Sequence, residues 1–185
     1  MTVVQTPPPG KPNAVAIALG SNLGDSAALL AEALERVNAI ANTHVLTYSP
    51  IYRTAPVGPP QPDFLNCCAL LSTTLLPAQL LQQLLGVETI MGRVRQTRWG
   101  PRHIDIDLLL YGNQVLTTQV LTLPHPRLHE RAFVLVPLAD IAPDWHHPQR
   151  QQSVRHMLSQ VSQTGVERDP NLPTLKFATI PSDAG

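Results

Sequence analysis

The order of hydrophobic patterns along the chain predicts an α+β fold, a ferredoxin-like β-α-β-β-α-β sandwich with an added hairpin and C-terminal helices. Three observations carry that prediction. Segments with apolar residues at strand spacing and segments at helical spacing follow one another in that order. The 185 residues, 43% of them hydrophobic, suffice for one domain with a real core. The chain shows no internal repeat and no second block of core pattern, so one domain is expected over 13–162, between a flexible tail at 1–12 and a loosely packed tail at 163–185.

Each element has its own signal. MTVVQTPPPGKP at the start offers no packing periodicity. The first strand, AVAIAL over 14–19, runs into Gly20-Ser21-Asn22, which reads as a tight turn or as a ligand-facing corner. A helix is expected over 25–41, capped by Asp25, with Leu30, Leu34, Val37 and Ala41 on one face. HVLTYSPIYRT over 44–54 reads as one long strand rich in β-branched and aromatic residues. APVGPPQPD over 55–63, with four prolines and a glycine, forms no regular structure. FLNCCALL over 64–71 is the third strand. Asn66 is polar within that apolar run, and a buried amide needs partners, either local backbone or a polar ligand edge.

Pro77 suits the first turn of the second helix, where Leu80, Leu84, Val87 and Met91 recur at helical spacing and Gly92 fits the stop. The fourth strand covers 103–111, closed by the turn signal Gly112-Asn113, and 114–123 is expected to add the hairpin. In LPHPRLHERAF over 123–133, His125 and His129 stand four apart. Pro124 and Pro126 flank the first, which disfavours a zinc pair on one helix face. The histidines read as surface residues at a turn or, with Arg131, as phosphate contacts. A proline-rich corner over 142–148 precedes a last amphipathic helix marked by Val154, Met157, Leu158 and Val161, and 175–180 is a candidate short strand.

Composition excludes several classes. The net charge of +0 argues against a globally basic nucleic-acid binder. No secretory pattern and no apolar run of membrane-spanning length is present, which predicts a cytoplasmic protein. Cys67 and Cys68 are neighbours, a poor geometry for a bridge, and are expected to be reduced, structural thiols.

Charge is instead concentrated in RVRQTRWGPRHIDIDLLL, residues 93–110. Arg93, Arg95, Arg98 and Arg102 lead into a strand carrying Asp105 and Asp107. Side chains two apart on a strand share a face, so the two carboxylates project together while Ile104, Ile106 and Leu108 point the other way. Two convergent carboxylates form a hard oxygen site of the kind Mg²⁺ accepts, completed by waters and phosphate oxygens. Cations and acids this close point to a polyanion such as a nucleotide.

RWGPRHIDIDLL (98–109) strongly resembles the signature of the 6-hydroxymethyl-7,8-dihydropterin pyrophosphokinase family of folate biosynthesis. ALGSNLGD (18–25), YRTAPVG (52–58), QPDFLN (61–66), GRVR (92–95) and LPHPRLHERAFVL (123–135) stand in that family's order and spacing, so the resemblance covers about residues 14–160. It implies a monomeric enzyme whose partners are ATP, as co-substrate, and 6-hydroxymethyl-7,8-dihydropterin. The β,γ-diphosphate of ATP passes to the pterin hydroxymethyl oxygen and AMP is released. In such a reaction positioning and electrostatics dominate.

The resemblance also implies roles. Asp105 and Asp107 hold two Mg²⁺ ions, one between the α- and β-phosphates and one between the β- and γ-phosphates near the hydroxyl, lowering its pKa. Arg93, Arg98, Arg102, His125 and Arg131 contact the triphosphate. Arg95 and Trp99 lie on a loop that closes over both substrates, Trp99 touching nucleotide and pterin. Leu108 and Thr122 contact adenine. The pterin stacks between Phe64 and Phe133 while Asn66 and the backbone at Thr54 and Val57 read its edge. The sequence departs from some members at Leu85, where they carry a glutamine, at Pro126, where they carry an aromatic, and in a loop between Arg95 and Arg98 one residue shorter.

Rival readings explain less. An RNA-binding module on the same sandwich needs exposed aromatics and a basic face, against an aromatic content of 4%. A metal-dependent hydrolase or glycosyltransferase explains Asp105 and Asp107 but not Phe64, Asn66 and Phe133. A non-catalytic scaffold does not explain the complete arginine–aspartate set.

Overall fold

The computed structural model describes residues 11–56, 60–92, 102–168 and 170. In chain order the elements are β1 (Asn13–Ser21), α1 (Ser26–Asn38), β2 (Thr43–Tyr48), β3 (Tyr52–Thr54), β4 (Phe64–Thr73), α2 (Pro77–Ile90), β5 (Asp105–Tyr111), β6 (Leu116–Thr117), β7 (Thr122–Leu123), α3 (Ala132–Ile141), β8 (His146–His147), β9 (Gln152–Ser153), α4 (Val154–Ser159) and β10 (Val166–Arg168). A short 3₁₀ turn, Leu128–Glu130, precedes α3.

The main sheet runs β10-β3-β4-β1-β5, with β2 also beside β4, and its pairings are antiparallel. Taking β2 and β3 as one bent strand, this is the ferredoxin-like order. The two-residue alternation of β4 divides it between two cores. Leu65, Cys67, Ala69 and Leu71 pack with α1 and α2 on one face. Cys68 packs with Ala16, Leu110, Leu135 and Leu138 under α3 and α4 on the other. The adjacent cysteines thus face opposite layers, and both are free and buried.

α1 starts where Asp25 accepts from the Ala28 amide at 3.1 Å. It ends sooner than expected, so Ala41 is exposed beyond the helix while Leu30, Ala33, Leu34 and Val37 form the buried stripe. Pro77 opens α2, and Gly92 follows it with φ of 82°.

The single strand expected over 44–54 is two strands. Pro50 has no N–H for the ladder, and the chain breaks there. Ser49 keeps the break bonded to β4: its N–H donates to the Cys68 carbonyl at 2.8 Å and its Oγ accepts from the Cys68 amide at 3.0 Å. Two further differences lie after residue 130. Helix α3 forms over Ala132–Ile141, a stretch to which the sequence reading assigned no element, with Pro137 inside it. Proline within a helix forfeits one hydrogen bond, and this helix is held instead by burying Val134, Leu135, Pro137 and Leu138. The segment expected to be a loose tail from 163 contributes β10, which pairs with β3 through Val166↔Thr54 and Arg168↔Tyr52. Its polar sequence, VER, suits a sheet edge and gives little apolar pattern. The expected hairpin is β6–β7. The candidate strand over 175–180 lies outside the described residues.

Candidate active site

The described site residues converge on the α3 face of the sheet, at the end where β1 stops and β4 and β5 begin. Register explains why. Gly20 of β1 lies opposite Asn66 on one side and Asp105 on the other, and Ala18 lies opposite Asp107. On β3, Tyr52 is opposite Asn66, and Thr54 is opposite Phe64. Directly opposed residues share a face, so the ends of β3, β4 and β5 deliver Thr54, Phe64, Asn66, Asp105 and Asp107 to one surface beside Gly20 of β1.

On β5 the alternation is as expected: Ile104, Ile106 and Leu108 are buried in the α1–α2 core, and Asp105 and Asp107 stand half-buried on the far side. A register shift opposite Ala16/Ile17 then turns Leu109 and Leu110 alike into the α3–α4 core. Each carboxylate meets a cation. Arg102 Nη1 donates to Asp105 Oδ2, and Arg131 Nη1 donates to Asp107 Oδ2 at 3.0 Å. The Arg131 guanidinium also lies over the Phe133 ring, 5.7 Å from its centroid. Arg131 caps α3 and Phe133 is in its first turn, so the start of this helix carries one cation and one aromatic face into the site.

His125 is held beside β5 by its N–H, which donates to the Leu109 carbonyl at 2.8 Å. Its Nδ1 accepts from the Arg127 amide at 3.1 Å, which leaves the proton of the neutral ring on Nε2, 3.8 Å from Asp107 Oδ2. Burial pushes its pKa below the ordinary histidine value. The Asp107 charge opposes that shift, and Arg131 and Arg127 reinforce it. His129 instead faces Glu130 at 3.4 Å, so the two histidines serve different partners.

Asn66 is buried, and its Nδ2 donates to Thr54 Oγ1 at 2.7 Å. Its Oδ1 lies against the Gly20 backbone, and a Cβ built on Gly20 would come within 2.8 Å of that oxygen. Gly20 is therefore a close-approach glycine, and the residue pair is a wall of the site.

Three residues important to this arrangement were given no role of their own in the sequence reading, although the first ends the Gly20-Ser21-Asn22 corner. Asn22 donates through Nδ2 to Gln61 Oε1 and to the Pro62 carbonyl, both at 3.0 Å, and accepts through Oδ1 from the Arg102 amide at 2.8 Å. It ties together the segments leading into Phe64 and into Asp105. Glu88 of α2 is buried and accepts from the Ile106 amide at 2.7 Å, fixing the backbone between the two aspartates. Its signal was legible: Leu80, Leu84 and Glu88 share one helical face, and an acid on a buried face needs a partner. Tyr52 donates to Asp140 of α3 at 2.6 Å.

Leu108 is buried on β5, and Thr122 is half-buried on β7, which packs beside β5. Val57, Arg93, Arg95, Arg98 and Trp99 lie outside the described residues. The carboxylate pair fits Mg²⁺, which takes one or two carboxylates and fills its remaining positions with water and phosphate oxygens.

Comparison with known proteins places these residues in a family. Residues 16–143 match the model described as 7,8-dihydro-6-hydroxymethylpterin-pyrophosphokinase. The chain is 43% identical over 150 residues to the 2-amino-4-hydroxy-6-hydroxymethyldihydropteridine pyrophosphokinase of a Synechocystis species, covering 81% of this chain and 77% of that protein. To the Methylorubrum extorquens protein of the same name it is 46% identical over 153 residues, covering 82% and 96%. Among solved structures, a wild-type Plasmodium falciparum HPPK-DHPS aligns with a TM-score of 0.66 at 14% identity, which bears on fold alone. That alignment covers 81% of this chain and 44% of the Plasmodium chain.

Proposed function

The chain belongs to the 7,8-dihydro-6-hydroxymethylpterin-pyrophosphokinase family, and from that premise we propose how its residues carry the family's reaction. The reaction is transfer of the pyrophosphoryl group of ATP to hydroxymethyldihydropterin in folate biosynthesis. The hydroxymethyl oxygen attacks the β-phosphorus, the bond from that phosphorus to the α-bridging oxygen breaks, and AMP leaves. Little covalent chemistry falls to the protein, so the residues must align the two substrates and stabilise charge on the transferring group.

One observation carries the assignment of the site. Asp105 and Asp107 share a face of β5 with Arg102, Arg131 and His125 around them, next to the Asn66–Thr54 pair on adjoining strands. On this proposal a phosphate-binding half and a flat-ring half would share one surface. Asp105 and Asp107 would hold two Mg²⁺ ions, which when bound neutralise phosphate charge and lower the pKa of the attacking hydroxyl. Arg102 and Arg131 present forked guanidinium groups to phosphate oxygens. His125, neutral with its proton on Nε2, donates a hydrogen bond without adding a full charge. Arg93, Arg95, Arg98 and Trp99 would complete the phosphate side, Arg95 and Trp99 from a loop that covers both substrates.

The pterin would lie between the rings of Phe64 and Phe133. Asn66, held by Thr54, offers its amide to the heterocycle edge, completed by backbone at Thr54 and Val57. The Ile106 amide points to the free edge of β5, where Glu88 takes it. Leu108, two residues on, repeats that direction, which supports backbone contact with adenine there, with Thr122 alongside on β7.

The domain, extended to include β10 at Val166–Arg168, would act as a monomer and take no nucleic-acid or membrane partner. Among the described residues no helix is long and apolar enough to cross a membrane. The test is turnover of 6-hydroxymethyl-7,8-dihydropterin with ATP and Mg²⁺, resolving AMP from ADP. AMP with a diphosphorylated pterin, abolished by chelation and restored by Mg²⁺, is the expected result. ADP, or full rate in chelator, overturns the mechanism.

A further inference from the structure

The two halves of the proposed pterin site come from different layers. Asn66 and Thr54 belong to the sheet, while Phe133 belongs to α3. A stacked heterocycle is held only if the gap between those layers and their lateral offset are fixed. Among the described residues two side-chain bonds cross from these strands to that helix: the Cys68 thiol of β4 donates to the Val134 carbonyl at 3.5 Å, and, much shorter, Tyr52 Oη of β3 donates to Asp140 Oδ2 at 2.6 Å. Tyr52 lies directly opposite Asn66 in the β3–β4 register, on the same face. Asn66 therefore sits in a slot, with Gly20 on one side, where no Cβ fits, and the buried Tyr52 on the other.

We propose that Tyr52 and Asp140 are a positioning pair for pterin, locking the Asn66–Thr54 edge of the sheet to the helix that carries Phe133. The pair touches no substrate in this arrangement and acts through Asn66 and Phe133. Arg168 of β10 lies opposite Tyr52 from the other strand edge, and its charge opposes the rise in the pKa of the hydroxyl. Burial first, and then the bond to Asp140, push the Tyr52 hydroxyl up to about 12, so the donor keeps its proton across any ordinary assay pH.

The inference rests on the pterin-site reading above, and the test separates the two. Affinity for 6-hydroxymethyl-7,8-dihydropterin and for ATP is measured by calorimetry on the full chain, with thermal unfolding followed in parallel, for Tyr52→Phe, Asp140→Asn, Asp140→Ala and Asn66→Ala. Tyr52→Phe keeps the ring and loses the donor. It weakens pterin binding roughly fivefold, the size of one such hydrogen bond, and leaves ATP affinity within twofold. Asp140→Ala reproduces that loss, Asp140→Asn keeps an acceptor and restores affinity, and Tyr52→Phe with Asp140→Ala is no worse than either alone. A lower Tm for Tyr52→Phe with unchanged pterin affinity reduces the pair to a structural contact and overturns the inference, provided Asn66→Ala weakens pterin binding. If Asn66→Ala also binds pterin normally, the site reading itself falls, and the inference with it.

Discussion

Gly20→Ala is the sharpest perturbation the structure offers, because it adds one methyl group at the seam between the two halves of the site. That Cβ would meet Asn66 Oδ1 at 2.8 Å, inside the closest approach of real carbon and oxygen atoms. The amide cannot swing away freely, since its Nδ2 is bonded to Thr54 at 2.7 Å and the residue is buried. Overpacking of this kind costs about 1–3 kcal/mol, a fall in Tm of roughly 2–10 °C for a chain of this length. If Asn66 rotates to relieve the contact, its bond to Thr54 and its edge contact with the pterin are both disturbed, and pterin affinity drops by roughly tenfold. Calorimetric titration with the pterin and thermal unfolding read the two effects separately. A double variant, Gly20→Ala with Asn66→Ala, recovers part of the lost stability because the colliding oxygen is gone. Pterin affinity within twofold of the parent in Gly20→Ala, or no recovery of stability in the double variant, would refute the reasoning.

Other outcomes follow from the same geometry. Asp107→Ala removes a carboxylate from the proposed metal pair and the partner of Arg131, and AMP formation at saturating substrates should fall roughly a hundredfold or more with the fold intact by circular dichroism; a near-parental rate in Mg²⁺ rejects the metal assignment. Phe133→Ala should weaken pterin binding by roughly tenfold and ATP binding far less, and equal losses in paired titrations would sink the stacking role. Cys67 and Cys68 should be silent to a thiol reagent at pH 8 and react only on unfolding, since burial raises Cys67 to about 12 and Cys68 in the same direction. With folded values raised, the thiols favour the native state fully below the ordinary thiol pKa, and that contribution is lost as pH climbs towards 12.

Much of this was legible because local chemistry and global fold agree. The alternation in DIDLLLY put two carboxylates on one face, and β5 has them there. Pro77 and Gly92 bounded α2 by backbone preference alone. What escaped depended on partners distant in sequence. α3 contains a proline and an apolar surface nearly all round, which reads as no helical stripe at all, and its stability comes from a sheet face assembled from β1, β4 and β5. β10 has three residues and no apolar alternation, and exists because β3 offers an unpaired edge.

The same reasoning explains why Tyr52 and Asp140 were invisible as site residues, and the partners of Asn22 and Glu88 likewise, while Asp105 and Asn66 were visible. Those two present unusual chemistry for their local setting, an acid in a strand and an amide in an apolar run, whereas Phe133 entered only through the family resemblance of LPHPRLHERAFVL. The others satisfy ordinary groups across 18 to 88 positions of sequence, and a backbone amide such as that of Ile106 or Arg102 leaves no trace in sequence pattern. Their effect is nevertheless to remove freedom from the residues that meet substrate. Glu88 fixes the peptide between the two aspartates, Asn22 fixes the approaches to Asp105 and Phe64, and Tyr52 with Asp140 fixes the sheet against α3. For a reaction in which alignment of two substrates supplies most of the rate, a loosened support of this kind costs turnover as surely as a lost contact, because a displacement of about 1 Å at the reacting atoms can cost roughly a hundredfold.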